Sequence, residues 1–256
     1  MTGPWQTAEI LNSSEVVFTI VYDNNPYQSG LQTDWGFSCH LQLPDSAILF
    51  DTGGRGQLLL ENMRQLGLDP ARIDTVFLSH VHTDHTGGLP ALIDVNSNLN
   101  VCLPKTFPAS FKDLLLEKTV QIKETEGFVA IGSGVYSTGD LGGWLAEQSL
   151  IVDTEAGVVV ITGCAHPGIV DTLKNVREII DKDILLAMGG FHLEGESQSE
   201  LETFLSLFKI LGVKYVAPCH CTGDLARKIF RIGYGENYIE SGVGRRIHFG
   251  ADGSGR

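Results

Sequence analysis

The stretch His80-Val81-His82-Thr83-Asp84-His85 decides how this chain is read. It gathers three imidazoles and a carboxylate into six residues. The run before it, Thr75-Val76-Phe77-Leu78-Ser79, is short, apolar and rich in β-branched residues, the pattern of a buried strand. The run after it, Thr86-Gly87-Gly88-Leu89-Pro90, is turn-like and leads into a helix. The cluster therefore falls at the carboxyl end of a strand, where open α/β folds keep their sites. In extended or tightly turned backbone, His80 and His82 point the same way and can grip one ion. Asp84 and His85 come round the next turn and can grip a second. Neutral imidazole and carboxylate suit zinc, iron or manganese better than calcium or magnesium. An isolated histidine is ordinarily a surface or hydrogen-bonded core residue, but three of them beside an aspartate at a strand tip read as a metal site.

The composition fits such a site in a globular chain. At 256 residues, with 43% hydrophobic and 19% charged residues, the sequence can bury a full core, and residues 1–256 read as a single large domain. No run approaches the ~18 apolar residues of a membrane span. The opening residues, 1–9, lack the basic and apolar regions of a secretion signal. The five cysteines, Cys39, Cys102, Cys164, Cys219 and Cys221, are odd in number and scattered, so they read as reduced thiols in a cytoplasm. A formal charge of −13 argues against a nucleic-acid backbone as ligand and leaves room for a small, phosphorylated molecule. The expected partner is therefore a small-molecule substrate, with no nucleic acid and no membrane. The oligomeric state is not readable.

Along the chain, residues 15–23, 36–43 and 47–51 read as strands, and residues 56–68 as a helix with Leu59, Met63 and Leu66 on one face. A short helix is expected near residues 89–95. Residues 149–153 and 158–162 flank the turn Glu155-Ala156-Gly157, a hairpin signal. Helices follow at 169–180, 200–211 and 225–231, and strands at 184–188, 215–218 and 246–249. The interleaving suggests two sheets packed face to face with helices outside.

The other histidines extend the site. Three more strand-like runs end in small residues and then an imidazole. His166 follows Thr162-Gly163-Cys164-Ala165, His192 follows Gly189-Gly190-Phe191, and His220 follows Pro218-Cys219. Strand tips of one sheet layer lie side by side, so these can converge on the first cluster. His166 and His220 are read as metal ligands, and His192 as a ligand or as a contact to the ligands or substrate. His40 and His248 fall inside strands and read as structural. Cys164 stays open between thiolate ligand and packing residue, while Cys219 and Cys221 read as packing. Asp51, closing the run Ala47-Ile48-Leu49-Phe50, can orient a ligand histidine or cap its own turn.

At these residues the chain resembles the metallo-β-lactamase fold superfamily. His80–His85 matches its His-x-His-x-Asp-His motif and Asp51-Thr52-Gly53 its earlier aspartate motif. The runs at 162–169, 189–193, 218–223 and 243–249, with Tyr22-Asp23-Asn24 and Glu147-Gln148, look like the branch typified by dihydropterin-6-methyl-ribofuranosylaminobenzene-phosphate synthase. The resemblance implies a four-layer αββα sandwich, an α/β fold with a dinuclear metal site at one sheet edge. It assigns His80 and His82 to a first metal, Asp84 and His85 to a second, and His220 as the last histidine. The chain departs from the superfamily pattern in the middle. Tyr136-Ser137-Thr138-Gly139-Asp140 has no histidine, and Cys164 stands where a Thr-Gly-Asp motif has its aspartate, with His166 two residues on. Trp35 departs from the acidic and histidine pattern of the branch.

The leading functional expectation is a metal-dependent hydrolase. Two divalent ions, zinc first and then iron or manganese, would supply a metal-bound hydroxide to an ester, phosphoester or lactone. Asp84 would be both ligand and catalytic acceptor. A second expectation is a synthase-like transferase releasing diphosphate, with Lys105, Arg55, Arg245 or Arg246 as phosphate contacts. A third is a non-catalytic metal-dependent sensor or redox protein.

Overall fold

The structure is a computed structural model that describes residues 10–118 and 120–255. The opening segment read as free of a secretion signal lies outside the described residues. The amino-terminal half runs β1 (Val17–Tyr22), β2 (Ser38–Gln42), β3 (Ala47–Phe50), α1 (Gly56–Leu66) and β4 (Thr75–Phe77). It continues through α2 (Thr83–Thr86), α3 (Leu89–Val95), β5 (Asn100–Pro104), α4 (Ala109–Glu117) and β6 (Gln121–Thr125). The carboxyl-terminal half opens with β7 (Val129–Gly132), β8 (Val135–Ser137), β9 (Leu150–Thr154), β10 (Gly157–Thr162) and α5 (Ile169–Ile179). Then come β11 (Ile184–Gly190), α6 (Gln198–Ile210), β12 (Tyr215–Cys219), α7 (Asp224–Tyr234) and β13 (Arg246–His248).

The strands form a seven-stranded sheet, β13-β1-β2-β3-β4-β5-β6, and a six-stranded sheet, β12-β11-β10-β9-β8-β7. Each half of the chain builds one sheet, except that β13 crosses back to the first. Both faces of the inner strands are buried, which explains why strands such as Val158-Val159-Val160-Ile161 are apolar without alternation. Side chains still alternate in direction. Val159 and Ile161 enter the core between the sheets with Phe18, Phe50, Phe77 and Met188. Val158 and Val160 face an outer core with Leu173 of α5, Phe208 of α6 and Phe230 of α7. On the other side Leu49 and Val76 meet Leu59 and Met63 of α1 and Leu92 of α3. The result is the expected order of helices, sheet, sheet, helices. No helix among the described residues is long and apolar enough to cross a membrane.

The ends of α1, α3, α5 and α6 fall within two residues of the sequence reading, whereas α7 runs three residues beyond it and α4 was not expected. α1 stops at Gly67, whose φ of 71° needs no Cβ. α6 starts with a capping box between Ser197 and Glu200. The strand expected from residue 15 begins two residues later, because Ser13–Glu15 close a 3-10 turn on the Asn12 side chain.

What matters for the site is strand direction. β3 and β4 are parallel, as are β10, β11 and β12. β1 joins β3 through the antiparallel β2, so it runs the same way as β3. The carboxyl ends of β1, β3 and β4 in one sheet, and of β10, β11 and β12 in the other, feed the loops that carry Asn24, Asp51, His80, His166, His192 and His220.

Candidate metal centre

Six of the sequence-selected donors form two triads. His80, His82 and His166 offer ligand atoms within 4.8 Å of one another, and so do Asp84, His85 and His220. His80 Nε2 lies 3.1 Å from His82 Nδ1, and His85 Nε2 lies 3.2 Å from His220 Nε2. Asp84 Oδ2 is 3.3 Å from His220 Nε2 and 3.5 Å from His85 Nε2. The rings of His80 and His85 are 4.1 Å apart between centroids, so the two triads adjoin.

The outer nitrogen of each key ring is already committed. Asp51 takes the Ser79 amide on Oδ1 and the Ser79 hydroxyl on Oδ2, each at 2.7 Å. His85 Nδ1 meets the same Oδ2 at 2.7 Å. Because the Ser79 hydroxyl donates to Asp51, it accepts from His80 Nδ1, 2.8 Å away. Glu147 Oε1 accepts the backbone N–H groups of Cys164 and Ala165 at 2.8 Å. Its Oε2 accepts from His166 N at 2.9 Å and His166 Nδ1 at 2.7 Å. Asn24 accepts from His220 Nδ1 at 3.1 Å and returns its amide to the His220 carbonyl. In each case Nε2 is left as a lone pair, and a carboxylate, hydroxyl or amide fixes the ring behind it.

This arrangement fits divalent cations. Burial drives the His80 imidazole down to about 2 and the His85 imidazole to about 3, so both are neutral near pH 7. His80 Nε2 faces His82 Nδ1 at 3.1 Å, and His85 Nε2 faces His220 Nε2 at 3.2 Å. Tetrahedral zinc with nitrogen ligands holds its donors roughly 3.3 Å apart, close to that spacing. Burial also pushes the Asp51 carboxyl well above its usual range, against the pull of the Ser79 donors. A cation facing His85 would restore the carboxylate. Burial acts on Asp84 the same way, but the His220 contact and the His85 ring outweigh it and hold its acid well below the usual range. Glu147 is likewise held low, because its bonds to His166 overcome burial. In His220, Asp84 and Cys221 outweigh burial and raise the imidazole.

The backbone pays particular attention to this edge. Among the described residues, the non-glycine positions with positive φ are Asp51, Ala165, His192 and His220, at 52°, 60°, 52° and 48°. All four lie at strand tips around the centre, where left-handed backbone costs on the order of 1–3 kcal/mol each. Gly163 is also fixed by the site: a Cβ there would come within 2.1 Å of Ser79 Oγ and 3.1 Å of Asp51 Oδ2.

The remaining candidates divide. Cys164 Sγ is 3.3 Å from His85 Nε2, at the inner edge of the centre. The His192 ring packs at a tilt against His166, 4.7 Å between centroids, and belongs to neither triad. Cys219 packs in the core between the sheets, as read from the sequence. Cys221 is buried too, but its thiol lies beside Cys164 and His192. His40 is buried within β2, and His248 is exposed in β13. The candidate phosphate contacts point to other partners: Arg55 to Asp34, Lys105 to Glu126, Arg245 to Tyr27 and Arg246 to the Leu66 carbonyl. Three residues that hold the rings in place, Ser79, Glu147 and Asn24, carry no site role in the sequence reading. Glu147 and Asn24 fall in short runs noted for resemblance, and Ser79 closes the strand-like run before His80. Trp35 and Trp144, both exposed, flank the opening: Trp35 lies 4.9 Å from the His220 ring and Trp144 lies 5.0 Å from His166.

The chain belongs to the metallo-beta-lactamase superfamily, whose family model matches residues 38–190. It is 27% identical to 7,8-dihydropterin-6-methyl-4-(beta-D-ribofuranosyl)-aminobenzene-5'-phosphate synthase of Methanocaldococcus jannaschii, across 91% of this chain and 96% of that protein. Among solved structures, Tm1679, a metal-dependent hydrolase of the beta-lactamase superfamily, matches at 30% identity with a TM-score of 0.76, covering 90% of this chain and 98% of Tm1679. YhfI of Bacillus subtilis, a metallo-beta-lactamase fold protein, shares the fold at 14% identity and a TM-score of 0.67, over 90% and 98% of the two chains.

Proposed function

We propose that this protein is a metal-dependent hydrolase of a small ester, phosphoester or lactone, working on a two-cation centre. His80, His82 and His166 would hold one cation, and Asp84, His85 and His220 the other, with zinc suited best and iron or manganese next. When bound, such a pair activates water and neutralises charge developing on the substrate oxygen. The observation that carries the reading is the placing of the three carboxylates. Asp51 and Glu147 are buried and spent on backbone and imidazole donors, whereas the Asp84 side chain is 23% exposed and stays ionised at the mouth. Beside its part as ligand, Asp84 is the one of the three that reaches the mouth, where it would accept the proton of attacking water. Trp35 and Trp144 flank that mouth and offer aromatic faces to a substrate.

The test pairs metal analysis with a screen of phosphomonoesters, phosphodiesters, lactones and thioesters. His82→Ala and Asp84→Ala are expected to lose metal and turnover together. Full turnover by metal-stripped Asp84→Ala protein would refute the proposal.

A second reading, group transfer, is supported by the full-length similarity to the synthase. In it the same cations grip a diphosphate leaving group while an arylamine takes the pterin-methyl group. Diphosphate release that requires added arylamine, with none from water alone, would favour transfer.

A further inference from the structure

Beside the two histidine triads lies a third convergence of donors. Cys164 Sγ, Cys221 Sγ and a His192 ring nitrogen all lie within 4.8 Å of one another. They come from the tips of three neighbouring parallel strands, β10, β12 and β11. The backbone is shaped to admit them. A Cβ on Gly190, at the end of β11, would lie 2.7 Å from Cys221 Sγ and 3.3 Å from Cys164 Cα. His192 holds its ring there from a left-handed φ of 52°. Both cysteines are buried and free, while His192 is exposed, so the cluster is closed on the thiol side and open towards solvent on the other.

We propose that Cys164, Cys221 and His192 form a third cation site, distinct from the two histidine triads and selective for a thiophilic ion such as zinc, cadmium or copper(I). Two sulfurs and one imidazole are the soft donor set that such ions prefer, and three protein ligands leave one position for solvent. The triads offer nitrogen and oxygen only, so they rank the same ions differently. Cys164 also lies within reach of His80 and His85, so its sulfur would be shared between the third site and the main centre.

The sharing decides which variants test the idea: Cys221→Ser and His192→Ala, which keep Cys164 and all six triad donors in the chain, although His192 packs on the His166 ring. Chelator-stripped protein is titrated with cobalt(II) or zinc, and bound metal is counted after dialysis. Thiolate-to-cobalt charge transfer is followed in the near ultraviolet. Wild type is expected to bind about three equivalents. Cys221→Ser should lose the third with its share of the thiolate band, and His192→Ala should weaken it at least about tenfold. Wild type that stops at about two equivalents overturns this proposal and leaves the two-cation centre standing. Uptake of no cation sinks both. A third equivalent that either variant binds as tightly as wild type does also overturns it. Circular dichroism checks folding, and if Cys221→Ser fails to fold, the exposed His192→Ala decides.

Discussion

Glu147 shows how much one buried side chain can organise. Its two oxygens accept three backbone N–H groups and one imidazole N–H, all from residues 164–166. Glu147→Gln keeps the shape but turns one acceptor atom into a donor that faces donors. Zinc affinity, read by chelator competition, should fall about 10- to 100-fold, with the loss confined to the His80, His82 and His166 triad. A Gln variant that binds zinc as tightly as wild type would remove Glu147 from the site. The residue also marks the limit of sequence reading. His80, His82, Asp84 and His85 were legible because their chemistry is packed into one short run. His166 and His220 were legible because each follows an apolar strand and small residues. Glu147 lies between Ala146 and Gln148, and nothing in its neighbourhood announces that a loop 17 residues away will fold onto it. Cys221 is buried, as a packing thiol would be, and its place beside His192 depends on β11, which its own sequence neighbourhood does not reveal.

At the level of elements, the centre depends on loops that meet without clearance. Gly163, just past β10, lies under Ser79, just past β4, and so joins the two sheets at the point where Asp51, His80 and His85 are linked. Gly163→Ala should displace the Ser79 hydroxyl, lowering metal content in both triads while leaving far-ultraviolet dichroism intact. Unchanged metal content would show that Ser79 can move without cost. Strands with a buried face on each side were readable as continuous apolar runs, and α1, α5 and α6 by their helical spacing. The region from β5 to β8 was not read. β6, Gln121-Ile122-Lys123-Glu124-Thr125, is a polar edge strand with no burial pattern, and β7 and β8 are too short to show a period.

For the whole molecule, acid stability follows from imidazoles that fold neutral. His40 is buried in β2, in the same row of the sheet as Thr19 and Arg246, and burial followed by the Arg246 charge lowers it from 6.5 to about 4. The unfolded chain therefore takes up that proton first as pH falls, so this contribution is complete above pH 6.5 and is lost as pH drops towards 4. His80 and His85 act with the same sign in metal-free protein. His40→Leu should flatten the acid limb of a urea-unfolding series on chelated protein by at most about 3 kcal/mol. An unchanged slope would mean that folding does not lower the His40 imidazole. The facing nitrogens of His85 and His220 are 135 residues apart in the chain. During synthesis, the ribosome must release the chain past His220 before the Asp84, His85 and His220 triad can be complete. A nascent chain that stops short of His220 presents a half-built cluster that a stray transition metal can occupy.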